Sequence, residues 1–128
     1  MRALVVDNDP ASGGEMVRLL ESAGLMVGSV TTYEVASAWV DRNPPHLLVL
    51  ELMLPDGSGV ELLKRIREKN LSINVAVVSD APNELLADSL VLRPDGLFVK
   101  PLDAKRFQAW LERAIQRWQE AAELRTRT

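Results

Sequence analysis

The chain contains no cysteine among its 128 residues, which excludes disulfides and thiolate metal sites and fits a reducing compartment. It lacks any block of basic residues, and its net charge is −3, so direct binding to nucleic acid is not expected. The arginines near the C-terminus are too few to reverse that. No apolar run approaches the roughly 20 residues that cross a bilayer. The opening MRALVVDNDP turns acidic before a signal-peptide core could form. PDGSG, residues 55–59, has glycines but no P-loop pattern, so nucleotide binding is not expected either. Internal repeats, linkers and low-complexity segments are also missing. What is present is ordinary: 47% hydrophobic and 26% charged residues suit one globular domain with one sizeable core. The expectation is a soluble cytoplasmic domain.

Short apolar runs alternate with amphipathic stretches along the whole length. ALVV (3–6) reads as a strand that ends in the acidic Asp7-Asn8-Asp9. Asp9-Pro10 is a helix start, an acceptor at the cap followed by proline in the first turn, and Gly24 stops that helix. LMVGSV (25–30) is a second strand. A short helix carrying Val35, Ala36, Trp39 and Val40 on one face ends before Pro44-Pro45. LLVLELM (47–53) is apolar almost throughout, as a strand buried on both faces is, and is followed by a loop. A third helix holds Val60, Leu63 and Ile66. NVAVVS (74–79), a weak helix over 83–90 and GLFVK (96–100) follow. The last helix starts at Asp103 with Phe107, Trp110, Leu111, Ala114, Ile115 and Trp118 in one stripe. Five strands alternating with five helices predict an α/β domain, a parallel sheet covered on both faces.

In such sheets functional residues gather beyond the carboxyl ends of the strands. The polar outliers lie there: Asp7 and Asn8 after the first strand, Glu51 near the end of the third, Ser79 on the fourth and Lys100 on the fifth. A carboxylate inside the most hydrophobic run either surfaces at the end of the strand or has a cationic partner, because burying it alone costs several kcal/mol. Lys100 is the natural one.

VVDNDP, LLVLELMLPDGSG, VVSDA and DGLFVKP together resemble, in order and spacing, the signatures of response-regulator receiver domains, the input modules of two-component signalling. The likeness covers residues 1–118, with 119–128 left as a helical extension or tail. It implies a flavodoxin-like sheet in the order 2-1-3-4-5 and a phosphoryl group passed from a histidine kinase to an aspartate. Carried over by position, the acidic pair falls on Asp7 and Asn8, the phosphoacceptor on Glu51, the switch hydroxyl on Ser79 and the phosphate-binding lysine on Lys100. The implied magnesium ligands are Asp7, Asn8, Glu51 and the Met53 carbonyl. The peptide bond to Pro101 is often cis in such domains.

Three positions depart from the pattern. The acceptor is Glu51, one methylene longer than aspartate; the second acid is the neutral Asn8; and Leu97 replaces the switch aromatic, with Phe98 beside it. Losing a hard anionic ligand weakens magnesium binding, and moving the acceptor by about 1 Å costs roughly a hundredfold in rate. The reading is therefore a non-enzymatic, atypical receiver, with Mg2+ weak or absent. It acts through contacts with a kinase or other signalling protein, and a homodimer through the last two helices and the fifth strand is open to it. The alternative is a conventional phosphoreceiver using Glu51 or a nearby aspartate. Among the remaining residues, Asp9 reads as a cap, and Asp56 and Asp80 as loop residues. Trp39 and Trp110 read as core, and His46, the sole histidine, as structural.

Overall fold

The computed structural model describes residues 1–127; Thr128, the last residue of the expected extension, lies outside them. Five parallel strands form the sheet: β1 (Arg2–Val6), β2 (Met26–Val30), β3 (Leu47–Leu50), β6 (Asn74–Ser79) and β7 (Gly96–Val99), in the order β2-β1-β3-β6-β7. Counting only these strands, that is the expected order 2-1-3-4-5. Helices α1 (Pro10–Ser22), α2 (Tyr33–Arg42), α3 (Gly59–Glu68), α4 (Asn83–Val91) and α5 (Ala104–Arg127) connect or follow them. Between β3 and α3 lies a small antiparallel hairpin, β4 (Met53–Leu54) and β5 (Gly57–Ser58).

The alternation of side chains along each strand divides the core in two. Leu4, Val6, Leu48, Leu50, Val75 and Val77 point to the face covered by α2 and α3, where they meet Ala36, Val40, Leu62, Leu63 and Ile66. Ala3, Val5, Leu47, Val49, Ala76 and Val78 point to the opposite face, against Met16 and Leu20 of α1 and Phe107, Trp110 and Leu111 of α5. This two-sided burial is why β3 and β6 read as unbroken apolar runs. Leu97 and Phe98 split in the same way. Leu97 packs on the α3 side, while Phe98 stands edge-on to Phe107 and Trp110.

The local starts follow the sequence chemistry. The Asp9 side chain accepts from the Ala11 amide and caps α1, with Pro10 in its first turn. Asp103 Oδ1 accepts from the Arg106 amide at the head of α5. That helix continues unbroken to Arg127, and the stripe that buries Phe107, Trp110, Leu111 and Ala114 reaches Trp118, whose ring lies 5.0 Å from His46.

Two expectations need correction. The strand predicted over 47–53 ends at Leu50, and the expected loop after it forms the β4–β5 hairpin. Trp39 is not core: Trp110 is 8% exposed but Trp39 is 37% exposed. No helix among the described residues is long and apolar enough to cross a membrane.

Candidate functional site

β1, β3, β6 and β7 deliver their carboxyl ends to one edge of the domain. The Glu51 amide still bonds the Val6 carbonyl at 2.9 Å, so Glu51 leaves its strand directly beside Asp7. The Lys100 amide bonds the Ser79 carbonyl at 2.9 Å, which fixes the lysine next to the serine. Asp7, Glu51 and Ser79 are buried. Asn8, one residue on, is exposed and carries no charge into the cluster.

Glu51 explains why β3 stops. Its Oε1 accepts from its neighbours' backbone amides, Leu52 at 2.8 Å and Met53 at 3.2 Å. Those two N–H groups are thereby turned away from ladder pairing and toward the carboxylate. Oε1 also accepts from the Ser79 hydroxyl, which in turn accepts from the Ala81 amide at 3.0 Å. Oε2 faces Lys100 Nζ at 2.7 Å.

The ammonium of Lys100 meets three oxygens: Glu51 Oε2, Asp7 Oδ2 at 3.0 Å and Ser12 Oγ at 2.9 Å. Three acceptors match the three donors of a lysine. Burial pulls the Lys100 pKa down, but its hydrogen bonds to Glu51 and Asp7, with their charges, outweigh that and hold it above the usual lysine value. Asp7 is equally engaged. Its Oδ1 accepts from the Asp9 amide at 2.9 Å, and its Oδ2 accepts from Ser12 Oγ at 2.7 Å as well as from Lys100.

Asp7, Glu51, Ser79 and Lys100, singled out in the sequence, therefore come together. Asn8 borders the cluster, and Met53 contributes its amide. Ser12 was missed. Its signal was its place as third residue of a helix capped by Asp9, which turns a first-turn hydroxyl back toward the end of β1. The backbone amides of Leu52, Met53 and Ala81 carry no signal in side-chain sequence. Asp9 caps α1, as expected, and Asp56 does more than line a loop: it accepts from the amides of Tyr33 at 2.7 Å and Glu34 at 3.0 Å. Asn8, Asp9, Met53 and Asp80 rim a cavity of about 220 Å³ over Asp7, Glu51 and Lys100. Gly59 closes the site from below, where a Cβ would stand 2.4 Å from the Glu51 carbonyl oxygen.

The magnesium set implied by the resemblance, Asp7, Asn8, Glu51 and the Met53 carbonyl, does not fit an ion as arranged. Every oxygen of Asp7 and Glu51 already accepts from an ammonium, hydroxyl or amide donor. Magnesium demands a near-octahedral set of oxygens and is held best by free carboxylates. Among the described residues no group of three or more acidic, histidine or cysteine side chains is placed to hold a metal.

The family model described as "Response regulator receiver domain" matches residues 3–112. The chain belongs to that family. Two curated relatives are the transcriptional regulatory protein BasR of Escherichia coli (strain K12) and the transcriptional regulatory protein FixJ of Bradyrhizobium diazoefficiens. BasR is 27% identical over 120 residues, covering 91% of this chain and 53% of its own length. FixJ is 29% identical over 124 residues, covering 92% of this chain and 58% of its own length. The chain thus spans about half the length of these relatives. Among solved structures, a signal receiver domain from Vibrio parahaemolyticus superposes with a TM-score of 0.84 at 20% identity, covering 96% of this chain and 95% of its own. A response regulator receiver domain protein from Methanospirillum hungatei JF-1 gives 0.82 at 25% identity, covering 93% and 97%. The peptide bond between Lys100 and Pro101 is cis, as the resemblance implied.

Proposed function

We propose that this chain is an atypical receiver that signals through protein contacts without a phosphorylation cycle. One observation carries the reading: Lys100 Nζ lies 2.7 Å from Glu51 Oε2 and 3.0 Å from Asp7 Oδ2. Phosphoryl transfer needs an acceptor oxygen in line with the donor and a cation free to neutralise the moving charge. Both oxygens of Glu51 are engaged in hydrogen bonds and an ion pair, and the lysine that would receive the phosphoryl oxygens is saturated. Asn8 adds no charge to attract a divalent ion. Glu51 supplies a built-in anion to the same donors, Ser79 and Lys100, that would otherwise greet a phosphoryl group, and it holds the receiver in one state.

The partner class is a histidine kinase or another signalling protein, and no catalysis by the chain itself is required. Leu90 and Val91 of α4 and Val99 of β7 are exposed, which favours pairing of copies through α4, β7 and α5. The test is incubation with a small-molecule phosphodonor and magnesium, followed by intact-mass measurement. No gain in mass is expected. Stoichiometric phosphorylation mapped to Glu51 would overturn the reading and restore a conventional phosphoreceiver.

A further inference from the structure

Trp39 is the side chain that the site does not use and the core does not absorb. It projects from α2 toward β2, the strand at one edge of the sheet, which pairs with β1 and, among the described residues, has no strand on its other side. Its ring lies over Gly28: a Cβ at that position would fall 2.6 Å from two of the indole carbons. Glycine on the edge strand makes room for the ring and holds it in place. Yet the residue is 37% exposed, and its neighbours Met26 and Val35 are 73% and 50% exposed.

The ring forms a ridge between two clefts. One, of about 210 Å³, runs along β2 past Met26 and Gly28; the other, of about 300 Å³, lies on the outer side of α2 beside Val35. Each would accept a bulky apolar side chain. The charged residues lining them are Arg2 in the first and Arg42 in the second, with no acidic residue in either lining among the described residues. On a chain of net charge −3, this is a locally basic rim around an apolar centre. A fixed tryptophan flanked by pockets and an arginine rim has the composition of an interface hot spot.

We infer that the α2–β2 edge around Trp39 is a docking surface for a segment of another protein that carries bulky apolar side chains flanked by Asp or Glu. A second copy of this chain fits poorly. A two-fold contact puts the same patch on both sides of the interface and so sets one arginine rim against another, with no acidic residue among the described residues of either cleft lining to offset it. An acidic-apolar segment instead fills the clefts and neutralises both arginines.

The experiment is selection of a random peptide library on the immobilised chain, with counter-selection on the Trp39→Ala variant. Enriched peptides should combine Leu, Ile or Phe with flanking Asp or Glu. In 15N-labelled chain, the best of them should shift the amides of Met26–Val30 and Tyr33–Asn43. Trp39→Ala should weaken binding at least tenfold. Arg42→Glu, an exposed change that leaves the apolar packing in place, should also weaken it and remove most of its salt dependence. Enrichment indifferent to Trp39, a consensus without acids, shifts confined to α4, β7 and α5, or self-association blocked by Arg42→Glu would each overturn the assignment.

Discussion

Lys100 Nζ and Glu51 Oε2 are 2.7 Å apart at the carboxyl edge of the sheet, and the lysine side chain retains 14% exposure against 4% for the glutamate. The pair comes from strands that are not neighbours, since β6 lies between β3 and β7. It therefore ties the last strand to the middle of the sheet, and Ser79 on β6 joins it by bonding Glu51 from the strand between.

Removing the ammonium tests that arrangement. Lys100→Met leaves Asp7 and Glu51 buried as uncompensated neighbours, and breaking a buried pair costs about 3–5 kcal/mol. The residual exposure of Lys100 places the expected loss at the low end, about 3 kcal/mol, in urea unfolding at pH 7. Adding Glu51→Gln should recover part of it. The pH dependence has a definite sign. The folded pKa of Lys100 is raised, so its contribution is complete below the unfolded lysine value of about 10.4 and is lost as pH rises through the folded value. Wild-type stability should decline above about pH 10.4 more steeply than that of Lys100→Met. Equal slopes would contradict the pairing.

The double change Asn8→Asp with Glu51→Asp should convert the locked arrangement into a receiver that takes phosphate. Shortening position 51 withdraws the carboxylate from Lys100 Nζ and frees the lysine for phosphoryl oxygens; the second substitution adds the missing anionic ligand. Magnesium titration should show binding in the double variant well above that of the parent. A phosphodonor should add one phosphoryl group to the variant alone. If parent and variant gain mass at the same rate, the departures at these two positions do not govern the chemistry.

Much of this was legible in the chain because burial on both faces of a sheet forces strands to be apolar, so polar residues at their ends stand out. Asp7, Glu51, Ser79 and Lys100 were visible for that reason, and so was the sheet. The end of β3 at Leu50 was not, because it depends on the amides of Leu52 and Met53 turning to the Glu51 carboxylate. Trp39 misled for a different reason. Val35, Ala36, Trp39 and Val40 share one helical stripe, but Ala36 and Val40 fill its buried side while Trp39 overhangs Gly28 of the edge strand and Val35 stays exposed beside it on α2.

His46 should make the domain sensitive to mild acid. Its Nδ1 accepts the Arg2 amide at 2.9 Å, so the hydrogen of the neutral ring sits on Nε2, and its ring packs 5.0 Å from that of Trp118 on α5. Protonation would set N–H against N–H. Burial first, and then the positive charges of Arg2, the amino terminus and Arg125, hold its pKa below the usual 6.5. A depressed folded pKa means the stability is complete above the unfolded value and is lost as pH falls through the folded one. Between pH 7 and 5 the parent should therefore lose more stability than His46→Gln, which keeps an acceptor but does not titrate. As the sole histidine, its ring protons can be followed directly by NMR, and a midpoint at or above 6.5 would contradict the packing.

Asp56 should couple the hairpin after Glu51 to helix α2. Its two oxygens accept from the Tyr33 and Glu34 amides, which are first-turn donors that no helical carbonyl can satisfy. Those bonds, Glu34 before Tyr33, hold its carboxyl below the usual carboxylate range. The contribution is present above an unfolded value of about 3.9 and disappears as pH falls through the folded one. In Asp56→Ala both amides lose their acceptor, and hydrogen exchange should quicken at Tyr33 and Glu34 while the amides of β1 and β6 keep their protection. Asp56→Asn retains one acceptor oxygen and should fall between the two. Unchanged exchange at Tyr33 and Glu34 in the alanine variant would mean that the Thr32 side chain, which accepts from the Val35 amide, secures the helix start without help from the hairpin.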